Sequence, residues 1–286
     1  MTRISDTFAA LRVRGEVALI PYITAGDPDL GTTGQLVHEL ARQGADLIEL
    51  GIPFSDPMAD GPTNQRAAER ALRSGTSLAR VLDVVQQVRP SLSVPLILFG
   101  YYNPIFRYGG ERFARDARRV GVDGVLCVDL PPEEADELKR ETDRQDLDLI
   151  FLLAPTSSLS RARTVFTRAR GFVYYAAVTG VTGTRTTLPP DLGEMVRRIR
   201  AISPVPVGVG FGISSPAQAA EVAGVADAVI VGSAISQIIE TYSGEPDLVA
   251  RVGEFVGSLK QALRDCSALA LVPASDALSK PQLEKG

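Results

Sequence analysis

Eight short apolar runs recur along the chain with a longer amphipathic stretch between each pair, and few folds tolerate that alternation. The runs are Val17–Ile23, Leu47–Gly51, Pro95–Phe99, Gly124–Val128, Asp148–Leu153, Gly171–Ala177, Val205–Gly210 and Ala228–Val231. Each has strand length and is almost wholly apolar, which suits a parallel sheet covered on both faces. The segments between them, such as Gly34–Gln43, Glu111–Val120, Glu133–Thr142, Ser160–Ala169 and Leu192–Ala201, carry helical spacing. Eight such units predict a single (β/α)8 barrel of the α/β class rather than an open doubly wound sheet.

The second unit is longer than the others, with helices predicted at Asn64–Ser74 and Ser77–Val88. Further helices are expected at the N-terminus and, after the eighth strand, at Ala234–Tyr242 and Leu248–Leu263. Residues 1–264 therefore read as the barrel domain. Residues 265–286, with Pro273, Ser275, Lys280 and Pro281, read as a poorly ordered tail.

Composition narrows the function classes. The chain of 286 residues has 30 basic and 34 acidic side chains, a net charge of −4, which disfavours non-specific binding to nucleic acid or anionic membranes. No apolar run reaches the roughly 20 residues that span a bilayer, and the start lacks a signal-peptide pattern, so a cytoplasmic protein is expected. The two cysteines, Cys127 and Cys266, have no metal-ligand spacing, and Cys127 sits in an apolar run as a reduced core residue. The lone histidine, His38, falls at a surface or boundary position of a helix, so neither a zinc site nor a Ser-His-Asp triad is expected.

In a barrel of this kind the chemistry lies in the loops after the strands. The loop after the second run holds the most informative residues, in Glu49-Leu-Gly-Ile-Pro-Phe-Ser-Asp-Pro-Met-Ala-Asp-Gly-Pro62. Glu49 stands among Leu47, Ile48, Leu50 and Ile52, where burial raises a carboxyl pKa toward neutrality. Asp60 follows in a loop stiffened by prolines. Two carboxyls in unlike settings are the raw material of acid–base chemistry. The competing roles are a strand-end salt bridge for Glu49 and a turn or helix cap for Asp60.

The loops after the seventh and eighth runs, Gly210-Phe-Gly-Ile-Ser-Ser215 and Val231-Gly-Ser-Ala-Ile235, let backbone N–H groups approach an anion, and Ser233 can open a short helix facing it. Phosphate binding is predicted there; ordinary tight turns are the alternative. Val178–Arg185, rich in Gly and Thr, reads either as a segment that closes over a ligand or as a solvated loop.

The chain also resembles a known family, the α subunits of tryptophan synthase. The resemblance rests on the Glu49–Pro62 stretch and on Pro21-Tyr-Ile-Thr-Ala-Gly-Asp-Pro28, Tyr102-Asn-Pro-Ile-Phe106, Asp129-Leu-Pro-Pro-Glu-Glu134, Leu153-Ala-Pro-Thr156, Gly180-Val-Thr-Gly183 and Gly208-Val-Gly-Phe-Gly-Ile213. It implies a carbon–carbon lyase of tryptophan biosynthesis that cleaves indole-3-glycerol phosphate to indole and glyceraldehyde 3-phosphate, with Glu49 and Asp60 catalytic. It further implies that Tyr22 and Tyr175 line the substrate pocket. Gly183, Phe211, Gly212, Gly232 and Ser233 would meet the phosphate, and Thr182 would reach the catalytic aspartate. At position 22 the family often has Phe. Tyr101, Tyr102 and Asp129 are open between site roles and rim packing or helix capping. The implied partner is a β subunit in an α2β2 heterotetramer, met by the Pro53–Pro62 and Val178–Arg185 loops and the Tyr102–Phe106 region. Pyridoxal phosphate is expected in that β subunit, with neither cofactor nor metal in this chain.

Overall fold

The eight apolar runs pair edge to edge in chain order and close into a parallel barrel. The computed structural model describes residues 1–176, 191–210 and 212–270. A first helix, α1 (Arg3–Arg14), precedes β1 (Ala18–Thr24), α2 (Leu30–Arg42), β2 (Ile48–Gly51), α3 (Pro62–Arg73), α4 (Leu78–Val88) and β3 (Leu96–Gly100). Then come α5 (Tyr102–Tyr108), α6 (Gly110–Val120), β4 (Gly124–Cys127), α7 (Asp136–Arg144), β5 (Asp148–Leu153), α8 (Leu159–Phe166) and β6 (Val173–Ala176). The last third holds α9 (Leu192–Ile202), β7 (Val207–Gly210), α10 (Pro216–Ala223), β8 (Ala228–Val231), α11 (Ser233–Thr241) and α12 (Leu248–Ala270). Each strand pairs in parallel with its neighbours, and β1 pairs with β8 to complete the ring.

Strand parity divides the core in two. One set of side chains, including Leu19, Ile23, Ile48, Leu50, Leu96 and Leu98, packs outward against the helices. The alternate set, including Ala18, Ile20, Leu47, Ile97, Leu126 and Ile150, fills the barrel interior. Ile4, Phe8 and Leu11 of α1 join this inner cluster, so α1 seals the N-terminal end of the barrel. Its start is fixed by a reciprocal Thr2–Ser5 capping box, and Thr2 Oγ1 donates to the buried Asp148 carboxylate at 2.5 Å. At the N-terminal ends of β1 and β2, Lys260 of α12 reaches Asp46 at 2.7 Å, and Asp46 also accepts the Leu19 N–H.

Three local features differ from expectation. Tyr101-Tyr-Asn-Pro104, which as the segment after the third predicted strand reads as a loop, instead opens α5, with Tyr101 as its N-cap. Pro104 lies in its first turn, where a missing N–H costs nothing, and Asp129 Oδ1 accepts the Tyr102 N–H at 2.7 Å, so Asp129 caps it. Helix α12 runs to Ala270, so Asp265, where the tail was expected to start, lies inside a helix; residues 271–286 fall outside the described residues. Tyr175 is the third, treated with the site. Cys127 packs as a free thiol in the helix-facing layer and His38 is exposed.

Candidate active site

Inward-facing side chains fill the barrel from α1 upward, then stop below the C-terminal rim. There a cavity of about 240 Å³ is lined by Tyr22, Glu49, Asp60, Phe99 and Tyr174 among others. Glu49 belongs to the inward set because β2 is registered on β1 with Glu49 opposite Tyr22. Its side chain is fully buried, and neither Oε atom has a hydrogen-bond partner among the described residues. The strand-end salt bridge is therefore not formed there. Burial alone lifts its carboxyl from the ordinary 4.5 to about 8.

Asp60 enters from the loop. A turn in which the Asp60 N–H bonds the Pro57 carbonyl at 3.0 Å aims the residue back over the barrel, and the Gln65 side chain bonds the Asp60 carbonyl at 2.9 Å. Helix α3 starts after it with Gly61 as N-cap, so Asp60 is not the cap. The Tyr101 hydroxyl donates to Asp60 Oδ2 at 3.1 Å and accepts the Ala59 N–H at 2.9 Å. Tyr101 thus orients Asp60 rather than merely packing at the rim. Burial raises the Asp60 carboxyl to about 6, with the Tyr101 hydrogen bond pulling the other way. Near neutral pH, Glu49 holds its proton while Asp60 is ionised. The cavity thus contains a carboxyl able to donate and a carboxylate able to accept.

The walls between them are aromatic. Tyr22 meets Phe99 edge-on at 5.1 Å between ring centroids, and Phe99 lies 6.3 Å from Tyr174. The Tyr22 hydroxyl pairs with Thr24 Oγ1 at 3.2 Å and rests on Gly51, where an added Cβ would fall 2.3 Å from it. The Tyr174 hydroxyl rests on Gly210 in the same way, at 2.0 Å from an added Cβ. Burial pushes both phenols well above their ordinary pKa, so both stay protonated. A flat apolar group fits this slot.

Tyr175, expected in the pocket, is the correction: it lies in the helix-facing cluster, and its neighbour Tyr174 lines the cavity. One residue of register reverses the face of every strand side chain. A signal existed in the sequence: Phe172 and Tyr174 stand beside Gly208 and Gly210 of β7, whose missing side chains leave the room that these rings occupy. Phe99 and Asn64 are further lining residues that were not anticipated.

Gly210, Gly212, Gly232 and Ser233 line the far side of the cavity. Gly232 is the N-cap of α11 and Ser233 its first residue. First-turn N–H groups lack intrahelical acceptors and favour an anion. Thr182, Gly183, Phe211 and the Val178–Arg185 segment lie outside the described residues.

Comparison with known proteins bears on the fold and the family. The family model of the tryptophan synthase alpha chain matches residues 8–264. The tryptophan synthase alpha chain of Citrifermentans bemidjiense is 56% identical over 263 residues, covering 92% of this chain and 98% of the relative. That of Geobacter sulfurreducens is 55% identical, covering 92% and 99%. Among solved structures, tryptophan synthase subunit alpha from Legionella pneumophila superposes with a TM-score of 0.86 at 43% identity over 93% of this chain and 99% of the other. A chain of Mycobacterium tuberculosis tryptophan synthase gives 0.84 at 38% identity over 92% and 98%. The chain belongs to the tryptophan synthase alpha chain family.

Proposed function

We propose that this chain cleaves indole-3-glycerol phosphate to indole and glyceraldehyde 3-phosphate by general acid–base catalysis, as the α reaction of tryptophan biosynthesis. The observation that carries the reading is the pair of cavity carboxyls, Glu49 lifted to about 8 and Asp60 to about 6, on either side of neutrality. Glu49 delivers its proton to indole C3, which turns the ring into an electron-accepting indolenine. Once ionised, Glu49 takes the proton of the hydroxyl beside the ring. The carbon–carbon bond then breaks, its electrons return to the ring and the hydroxyl carbon becomes the aldehyde. Asp60 accepts the indole N–H and stabilises the positive charge that develops on nitrogen.

In this reading Tyr22, Phe99 and Tyr174 hold the indole, and Gly212, Gly232 and Ser233 hold the phosphate, joined by Gly183 and Phe211. Thr182 reaches Asp60 when ligand is bound. The partner is a tryptophan synthase β subunit in an α2β2 assembly. Pyridoxal phosphate is assigned to that subunit and no cofactor to this chain. Exposed Met58 and Phe106, on two of the three segments expected to meet the partner, support a docked rather than a stand-alone enzyme. Among the described residues no helix is long and apolar enough to cross a membrane, and we assign the chain to the cytoplasm.

The test is indole release from indole-3-glycerol phosphate by the wild-type chain and by Glu49→Gln, each with and without a β subunit. A single acid–base group is worth roughly 10²–10⁴-fold. Glu49→Gln should abolish release while keeping affinity for phosphate ligands, and unchanged turnover would refute the assignment.

A further inference from the structure

Asn64 carries a buried carboxamide oxygen with no hydrogen-bond partner among the described residues. Buried polar atoms in native proteins are nearly always paired, so an orphan calls for an explanation. Among the described residues the other orphans are the two Glu49 oxygens and the Ser236 hydroxyl. Those of Glu49 belong to the acid–base step, and Ser236 does not line the cavity. Asn64 lines it together with Glu49, Asp60 and Ser233.

The side chain has little freedom to seek a partner elsewhere. Asn64 sits in the first turn of α3, four residues after Asp60, and α3 packs on β1 and on α11, whose first residue is Ser233. Farther along α3, Arg70 holds the buried Asp27 through two hydrogen bonds of 2.8 Å and reaches Glu240 of α11 at 2.9 Å. Arg66 grips the same Glu240 through two more, at 2.6 and 2.7 Å. The helix is thus fixed against the element that opens the phosphate end, and Asn64 belongs to the cavity wall that also carries Asp60 and Ser233.

The next step rests on the function proposed above. With the ring beside Asp60 and the phosphate beside Ser233, the glycerol chain spans this wall. Its hydroxyl next to the ring is the one that Glu49 deprotonates. Its middle hydroxyl has no role in the bond-breaking step and no assigned partner. We propose that Asn64 Oδ1 accepts the hydrogen bond of that middle hydroxyl, making Asn64 the residue that selects a hydroxylated chain over a deoxy one. A site built to hydrogen-bond a hydroxyl rejects the analogue without it, because its own polar group is then left unpaired.

The test measures dissociation constants in a Glu49→Gln background, where the substrate is not consumed. The ligands are indole-3-glycerol phosphate and its analogue lacking only the middle hydroxyl. Asn64→Leu should weaken the first by roughly tenfold and leave the second within about twofold. With Glu49 intact, it should raise KM by a similar factor and leave kcat nearly unchanged. Equal losses for both ligands would mark Asn64 as structural and overturn the proposal, as would no loss for the substrate. If Asn64→Leu does not fold, the chain with Asn64 intact decides alone: equal affinity for the two ligands overturns the proposal. Failure of the wild-type chain to release indole overturns the underlying function instead, which keeps the two failures distinct.

Discussion

Replacing Glu49 by Gln should remove cleavage and stabilise the fold, by an amount that grows with pH. The folded chain raises this carboxyl from 4.5 to about 8 by burial, without a partner to offset the cost. In the unfolded chain it ionises at its ordinary value. Between those two pH values the native state holds a proton that the unfolded state has lost, so stability falls by up to ~1.4 kcal/mol per pH unit as pH rises. The contribution is fully present below 4.5 and is lost as pH passes through about 8. For the wild-type chain the accumulated loss is about 1 kcal/mol near pH 5 and about 3 kcal/mol near pH 7. Glutamine does not titrate, and whatever its amide gains or loses by packing is the same at both pH values. The stability gap between variant and wild type should therefore widen by about 2 kcal/mol from pH 5 to pH 7. Urea unfolding of both proteins across this range measures it, as a relative midpoint change of roughly 1 M for a chain of this size. A gap that stays constant, or that narrows as pH rises, would refute the burial of an uncompensated Glu49.

Three further outcomes follow from the same geometry. Tyr101→Phe removes the hydroxyl that donates to Asp60 at 3.1 Å and pulls its carboxyl down. The acidic limb of the kcat/KM profile should move up by as much as about one pH unit, with little change near pH 8. Gly210→Ala places a methyl 2.0 Å from the Tyr174 hydroxyl, so the ring must leave the cavity wall. KM should rise by about tenfold or more while circular dichroism stays native, as a lost aromatic wall implies. Arg70→Met strips the buried Asp27 of its partner, and should cost about 3–5 kcal/mol in urea unfolding.

The barrel was legible in the sequence because each strand is an almost unbroken apolar run, and the eight observed strands fall within two residues of the expected ones. That same property hid which face each side chain takes. With both faces of a parallel strand buried, alternation carries no signal, and Tyr174 could not be told from Tyr175 by pattern alone. Glu49 stood out because a carboxyl among apolar residues has few cheap explanations. Asn64 did not, because a polar residue at a helix start is the commonplace case. The contact of Tyr101 with Asp60 joins residues from different loops and needed the folded barrel to appear. Pro104 is ambiguous for a related reason: it ends a helix or begins one, and here it sits in the first turn of α5.

The stopper formed by Ile4, Phe8 and Leu11 has a consequence for traffic. Among the described residues, a barrel corked at its base is a well that opens toward the rim that carries the site. Traffic then runs through that rim doorway, by which the phosphate ester would arrive. A second protein seated across that doorway would decide both when the well is refilled and where its contents are released.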